Sequence, residues 1–155
     1  MDDHLLRGFV QQHSLEFAAF GSEIRLSGNI ACKGRVVIMV VKHLAVLDDG
    51  SDPRVRTRKY AYNAFIPEVG TILRHDNCHA HVGHSDEHHW HEFDLATRAE
   101  VEGSPFWCGA KGWPNLSQFI DKVAEWYDAH RDELPDPEAV VDDLSVYDER
   151  TAVYE

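Results

Sequence analysis

Between Glu23 and Cys32 the apolar residues fall on alternate positions, the period of a β-strand. In Glu23 to Cys32, Ile24, Leu26 and Ile30 share one parity, and Lys33-Gly34 reads as a tight turn into a second run, Arg35 to Leu47. That second run is apolar on both parities, with Val36, Ile38 and Val40 on one and Val37, Met39 and Val41 on the other. A strand of this kind is expected at the centre of a sheet, covered on both faces. After the polar stretch Asp48 to Pro53, Arg54 to Ile66 and Thr71 to His75 read as two more strands around the turn Pro67-Glu68-Val69-Gly70.

Helical spacing bounds the strands. Leu5, Leu6, Phe9 and Val10 predict a short N-terminal helix ahead of the turn at Phe20-Gly21-Ser22. Leu116, Phe119, Ile120, Val123 and Tyr127 predict a longer one with Asn115 as its N-cap. A further helix is expected from Asp136, with Pro137 in its first turn and Val140, Val141 and Leu144 on one side. Arg131 to Pro135 reads as a break between the two. Strands first and helices afterwards predict an α+β fold, an antiparallel sheet of about four to six strands with helices packed on one face. Residues 1–130 are expected to form a single α+β domain. Residues 131–155 are expected to be an acidic C-terminal extension, a short helix or partly disordered.

Charge and composition narrow the function. The 27 acids and 15 bases of the 155-residue chain leave a formal charge of −12, which disfavours a general duplex-DNA or anionic-membrane binder. The excess is uneven: from Asp121 to Glu155 there are twelve acids and three bases, so the rest of the chain is close to balance. No apolar run is long enough to span a bilayer, and Met1-Asp2-Asp3-His4 lacks the basic start of a secretory signal; no membrane partner and a cytoplasmic location are expected. Cys32, Cys78 and Cys108 are odd in number and contain no CxxC, against a disulfide framework. Cys78 and Cys108 read as buried or idle thiols, and Phe106-Trp107 and Trp113 as core or lid elements.

Histidine is the feature that carries chemistry. Seven of the eleven histidines lie between His75 and His91. Were the chain extended at His79-Ala80-His81 and at His89-Trp90-His91, each pair would project both rings from one face. His79, His81, His89 and His91 are therefore candidate ligands for a divalent metal, zinc or another transition metal, with Asp76 or Glu87 as an added oxygen donor. The same rings would equally serve metal-free acid–base catalysis, and a solvated, inert histidine tract is the plain alternative. On the third strand Arg54, Arg56, Arg58, Tyr60 and Tyr62 share one parity. Guanidiniums followed by aromatic rings would track phosphates and stack bases of single-stranded RNA; a solvated face paired with the acidic tail is the competing reading.

The order of these motifs resembles the TumE-like family of small toxins from prokaryotic type II toxin–antitoxin loci. The resemblance rests on Gly28 in an early strand, on Tyr60-Ala61-Tyr62, on Arg74-His75-Asp76-Asn77, on His79 or His81, and on His88-His89-Trp90-His91. It covers roughly residues 22–130, with His75 where the family carries a tyrosine, and the tail beyond His130 looks like an addition. It implies a toxin-type RNA-directed hydrolase, an endoribonuclease, and an antitoxin protein as partner. In that reading Arg74, Asp76, His88, His89 and His91 form the catalytic group: the histidines act as acid and base or hold a metal, Asp76 orients a ring, and Arg74 stabilises charge on phosphate. The alternative is a non-catalytic metal-binding or protein-interaction module using the histidines and the acidic tail.

Overall fold

The computed structural model describes residues 4–5, 7–47, 54–78, 82–83 and 87–147. Its centre is one antiparallel meander: β3 (Glu23–Cys32), β4 (Val37–Leu47), β5 (Arg54–Ile66), β6 (Gly70–Asp76), β7 (His89–Glu92) and β8 (Phe106–Trp107) pair in sequence order. On the far edge β1 (Val10–His13) and β2 (Glu16–Phe20) both pair with β3, one at each of its ends. The sheet thus has eight strands, more than the pattern predicted. The extra ones lie where the apolar signal is too short to read. β8 has two residues, and the expected N-terminal helix gives way at Gly8 to a strand that Val10 opens. A helical pattern that short cannot stabilise itself, and pairing with β3 satisfies the backbone instead.

β4 is the covered central strand that its two apolar parities predict. Its even positions, Ile38 and Val40, join Tyr60, Tyr62 and Ala64 under α2 (Leu116–His130), which buries Phe119, Ile120, Val123, Trp126 and Tyr127. Asn115 caps that helix as expected: its side chain accepts from the Gln118 N–H, and the Gln118 side chain accepts in return from the Asn115 N–H. A four-residue helix, α1 (Gly109–Gly112), precedes it.

The opposite face is covered by the C-terminal segment, in a form that differs from the expected helix. Among the described residues no helix forms after Asp136; instead Val141 and Leu144 pack on Ala31 and Val37, and Tyr147 meets Phe65 edge-on. Side-chain amides hold its backbone there. Asn29 Nδ2 donates to the carbonyls of Leu144 and Tyr147, and Gln12 Nε2 to that of Val141. Two of the apolar residues read as a helical stripe instead fill the hydrophobic patch left on the second face of β4, where polar backbone groups are satisfied by the sheet.

Gly28 has a steric reason to be glycine. Its φ is +140°, and a Cβ would stand 2.5 Å from the backbone oxygen of Ser14, where the chain crosses from β1 to β2. No helix among the described residues is long and apolar enough to cross a membrane.

Candidate metal centre

Pairing register determines which side chains meet. Directly opposed residues point to the same face of a sheet. Val41, Ala61, Asp76, His89 and Trp107 form one cross-strand row, and Met39, Asn63, Arg74 and His91 the next. Arg74, Asp76, His89 and His91 therefore share the face opposite α2. The donor atoms of Asp76, His89 and His91 all lie within 4.8 Å of one another, close enough to hold one metal ion.

Each of these side chains is oriented by a second contact. Asp76, with no exposed surface, accepts from Arg74 Nε at 2.8 Å and from the Cys78 N–H at 3.1 Å. His89, also fully buried, donates Nδ1–H to the Glu87 carbonyl at 2.8 Å. His91 donates Nδ1–H to Glu100 at 2.8 Å, and Glu100 is brought there by the bridge between Phe93 and Glu100. With Nδ1 committed, Nε2 is the nitrogen that each ring has left to bind a metal. His89 Nε2 stands 3.8 Å from Asp76 Oδ1. An imidazole nitrogen and a carboxylate oxygen at that distance can share a cation or a proton. Trp107 lies against His89, with ring centroids 5.2 Å apart, and shields that side.

The catalytic group expected from the sequence is thus divided. Arg74, Asp76, His89 and His91 come together, but His88 turns to the α2 face because neighbouring residues of an extended chain alternate. There Tyr60 is a hub: its hydroxyl lies 3.2 Å from His75 Nδ1 and 3.1 Å from His88 Nδ1, so it donates to one ring and accepts from the other. Trp113 stacks on both Tyr60 and His88. His75 is held neutral, its pKa lowered to about 3 by burial and by the nearby Lys122 ammonium. Cys108 Sγ approaches His75 Nε2 at 3.8 Å, and burial pushes the Cys78 thiol up. Of the four expected metal ligands, His89 and His91 fall in the cluster; His79 and His81 lie outside the described residues.

The basic–aromatic strand is also divided. Tyr60 and Tyr62 are buried under α2 and are closed to a stacking base. The arginines go to the other face, because the β4–β5 register shifts at Arg58: His43 pairs with Lys59 but Leu44 with Thr57. One inserted residue reverses the parity beyond it. Arg56 and Arg54 consequently oppose Ala45 and Leu47, on the face that carries Asp76. In the row between, Arg25, His43 and Lys59 are directly opposed. Arg58 is ion-paired with Glu23 at 3.3 Å. The basic surface therefore leads to the Asp76, His89 and His91 cluster rather than to the tyrosines. Arg25 and Lys59 had no sequence signal of their own, and Glu100 lies in a segment whose return to β7 no periodicity announces.

The fold and site define a meander-sheet protein with an Asp/His cluster on one face. Comparison with protein-family models, with curated proteins and with solved structures returned no match.

Proposed function

We propose that the chain is a metal-dependent hydrolase of the toxin type, acting on single-stranded RNA. The observation that carries this reading is the convergence of Asp76, His89 and His91, with both imidazole Nδ1 atoms tied to oxygen acceptors. Two neutral imidazoles and one carboxylate suit zinc or a neighbouring transition metal with positions left for water or substrate. Such an ion, when bound, supplies Lewis acidity and a water of lowered pKa. The chain's own contributions are orientation and charge. Arg74 pairs with Asp76 and stands in the row of His91, where a guanidinium stabilises charge on a phosphate oxygen. Arg54, Arg56 and Lys59, exposed on the same face, supply sequence-independent attraction for phosphates. An antitoxin partner belongs to the same proposal through the TumE-like resemblance.

A second reading has its own support. Asp76 and His89 have no exposed surface, as in a metal site that only holds a fold together. One experiment separates the two. Elemental analysis of the full chain is expected to find about one transition-metal equivalent per chain. The His89→Ala and Asp76→Asn variants are expected to lose it, together with cleavage of single-stranded RNA by at least about a hundredfold. Metal that binds stoichiometrically while RNA stays intact favours the non-catalytic module. RNA cleavage that survives both variants and chelation sinks the metal-dependent reading.

A further inference from the structure

Beside the metal centre runs a groove of about 600 Å³. It lies on the same sheet face, between the start of β6, the Phe93–Glu100 segment and Tyr147 of the C-terminal layer. Phe65, Phe93 and Tyr147 give it flat apolar walls, and Arg98 stands among its lining residues. Asn63 also lines it and is buried, at 9% exposure, yet its Oδ1 has no hydrogen-bond partner. A buried amide oxygen left unbonded is destabilising, so its retention needs a reason. Asn63 is in the row of Arg74 and His91, two strands from His91 and hence roughly 10 Å from it.

We infer that this groove binds one nucleobase of the RNA, next to the phosphate held at the metal centre. The inference rests on the hydrolase reading and adds its specificity-determining residue. The occupant is set by the chemistry of the walls. Aromatic surfaces take a flat heterocycle, a primary amide matches an edge carrying an adjacent donor and acceptor, and Arg98 takes the attached phosphate. Turning the Asn63 amide over exchanges its oxygen and nitrogen, so the same side chain serves a base in either order of donor and acceptor. The Phe93–Glu100 segment links the two sites, with Arg98 in the groove and Glu100 on His91.

The test titrates the full chain with adenosine, guanosine, cytidine and uridine 5′-monophosphates, with ribose 5-phosphate as the base-free control, by calorimetry. At least one nucleotide is expected to bind, with ribose 5-phosphate at least tenfold weaker. Asn63→Leu keeps the volume and removes the unbonded oxygen, so it is expected to fold with an unchanged or higher melting temperature and to bind that nucleotide about tenfold more weakly. Arg98→Ala is expected to weaken the nucleotide but not the free nucleoside. Nucleotide binding equal in wild type and Asn63→Leu, or no preference over ribose 5-phosphate, overturns the inference. Binding of a peptide from the chain's own acidic tail in place of every nucleotide overturns it too. Groove binding that follows these expectations without any RNA cleavage leaves the inference standing and removes the hydrolase reading instead. Metal-dependent cleavage whose nucleotide preference is unaltered by Asn63→Leu does the reverse.

Discussion

His75 and Asp76 are neighbours in sequence and go to opposite faces of β6, and that single alternation separates two environments. Asp76 is compensated by Arg74; His75 is 3% exposed and in contact with Tyr60 and Cys108, with Lys122, Asp76, His89 and His88 as the other charged or titratable groups near it. Its pKa of about 3 lies below the ordinary value of 6.5, so between those two pH values the unfolded chain binds a proton that the folded chain does not. Stability from this residue is therefore full above the unfolded pKa and is lost as pH falls from about 6.5 towards 3, by an amount of order a few kcal/mol. Urea midpoints measured between pH 8 and pH 4 are expected to fall on the acid side, with a shallower slope in His75→Gln. Equal slopes in the two proteins would contradict the assignment. At this scale the chain composition is a good guide to which residue types matter and a poor guide to where each points. Asp76, His89 and His91 could be selected from the sequence, whereas Glu100, Asn63 and Arg98 could not, because their roles come from contacts across strands.

Strand β5 shows how one residue redirects a surface. Read with strict alternation, Arg54, Arg56 and Arg58 belong with Tyr60 and Tyr62; the register shift at Arg58 puts Arg54 and Arg56 on the face of the Asp/His cluster and leaves the tyrosines in the core. A bulge is a local backbone choice between two ladders, and alternating polarity holds on each side of it, so periodicity alone cannot locate it. The functional consequence can be measured. Arg54→Ala combined with Arg56→Ala is expected to weaken binding of single-stranded RNA without changing metal content. The slope of log affinity against log salt should become shallower by about 0.7 for each phosphate that is no longer neutralised. Arg58→Ala, whose guanidinium is engaged by Glu23, is expected to have a smaller effect. An equal weakening from all three positions would mean that the Glu23 ion pair does not withdraw Arg58 from the phosphates. By contrast, α2 and its Asn115 cap were legible beforehand, since capping and the i, i+3, i+4 stripe are local properties.

For the whole molecule, the decisive feature is that β4 is covered by different kinds of structure on its two faces. α2 covers one, and the irregular segment ending at Tyr147 covers the other. That segment also lines the groove beside the Asp/His cluster through Val146 and Tyr147. A chain ending at His130 would expose Ala31 and Val37 and strip the Asn29 amide of its two carbonyl partners. The loss of Val141, Leu144 and Tyr147 is expected to cost about 3–6 kcal/mol, a large part of a domain's usual stability. Thermal unfolding of that truncation should begin well below that of the full chain. If the melting temperature is unchanged, residues 131–147 are an appendage after all. Local pattern by itself determined the antiparallel core strands, the central position of β4, α2 with its cap, and the residue types of the Asp/His cluster. These follow from the two-residue and 3.6-residue periods and from side-chain chemistry. The tertiary structure decided the division of His88 from His89 and His91, the face taken by the arginines, the partnership of His91 with Glu100 and the docking of the C-terminal segment. Each of those depends on cross-strand register or on contacts distant in sequence, which a one-dimensional pattern does not encode.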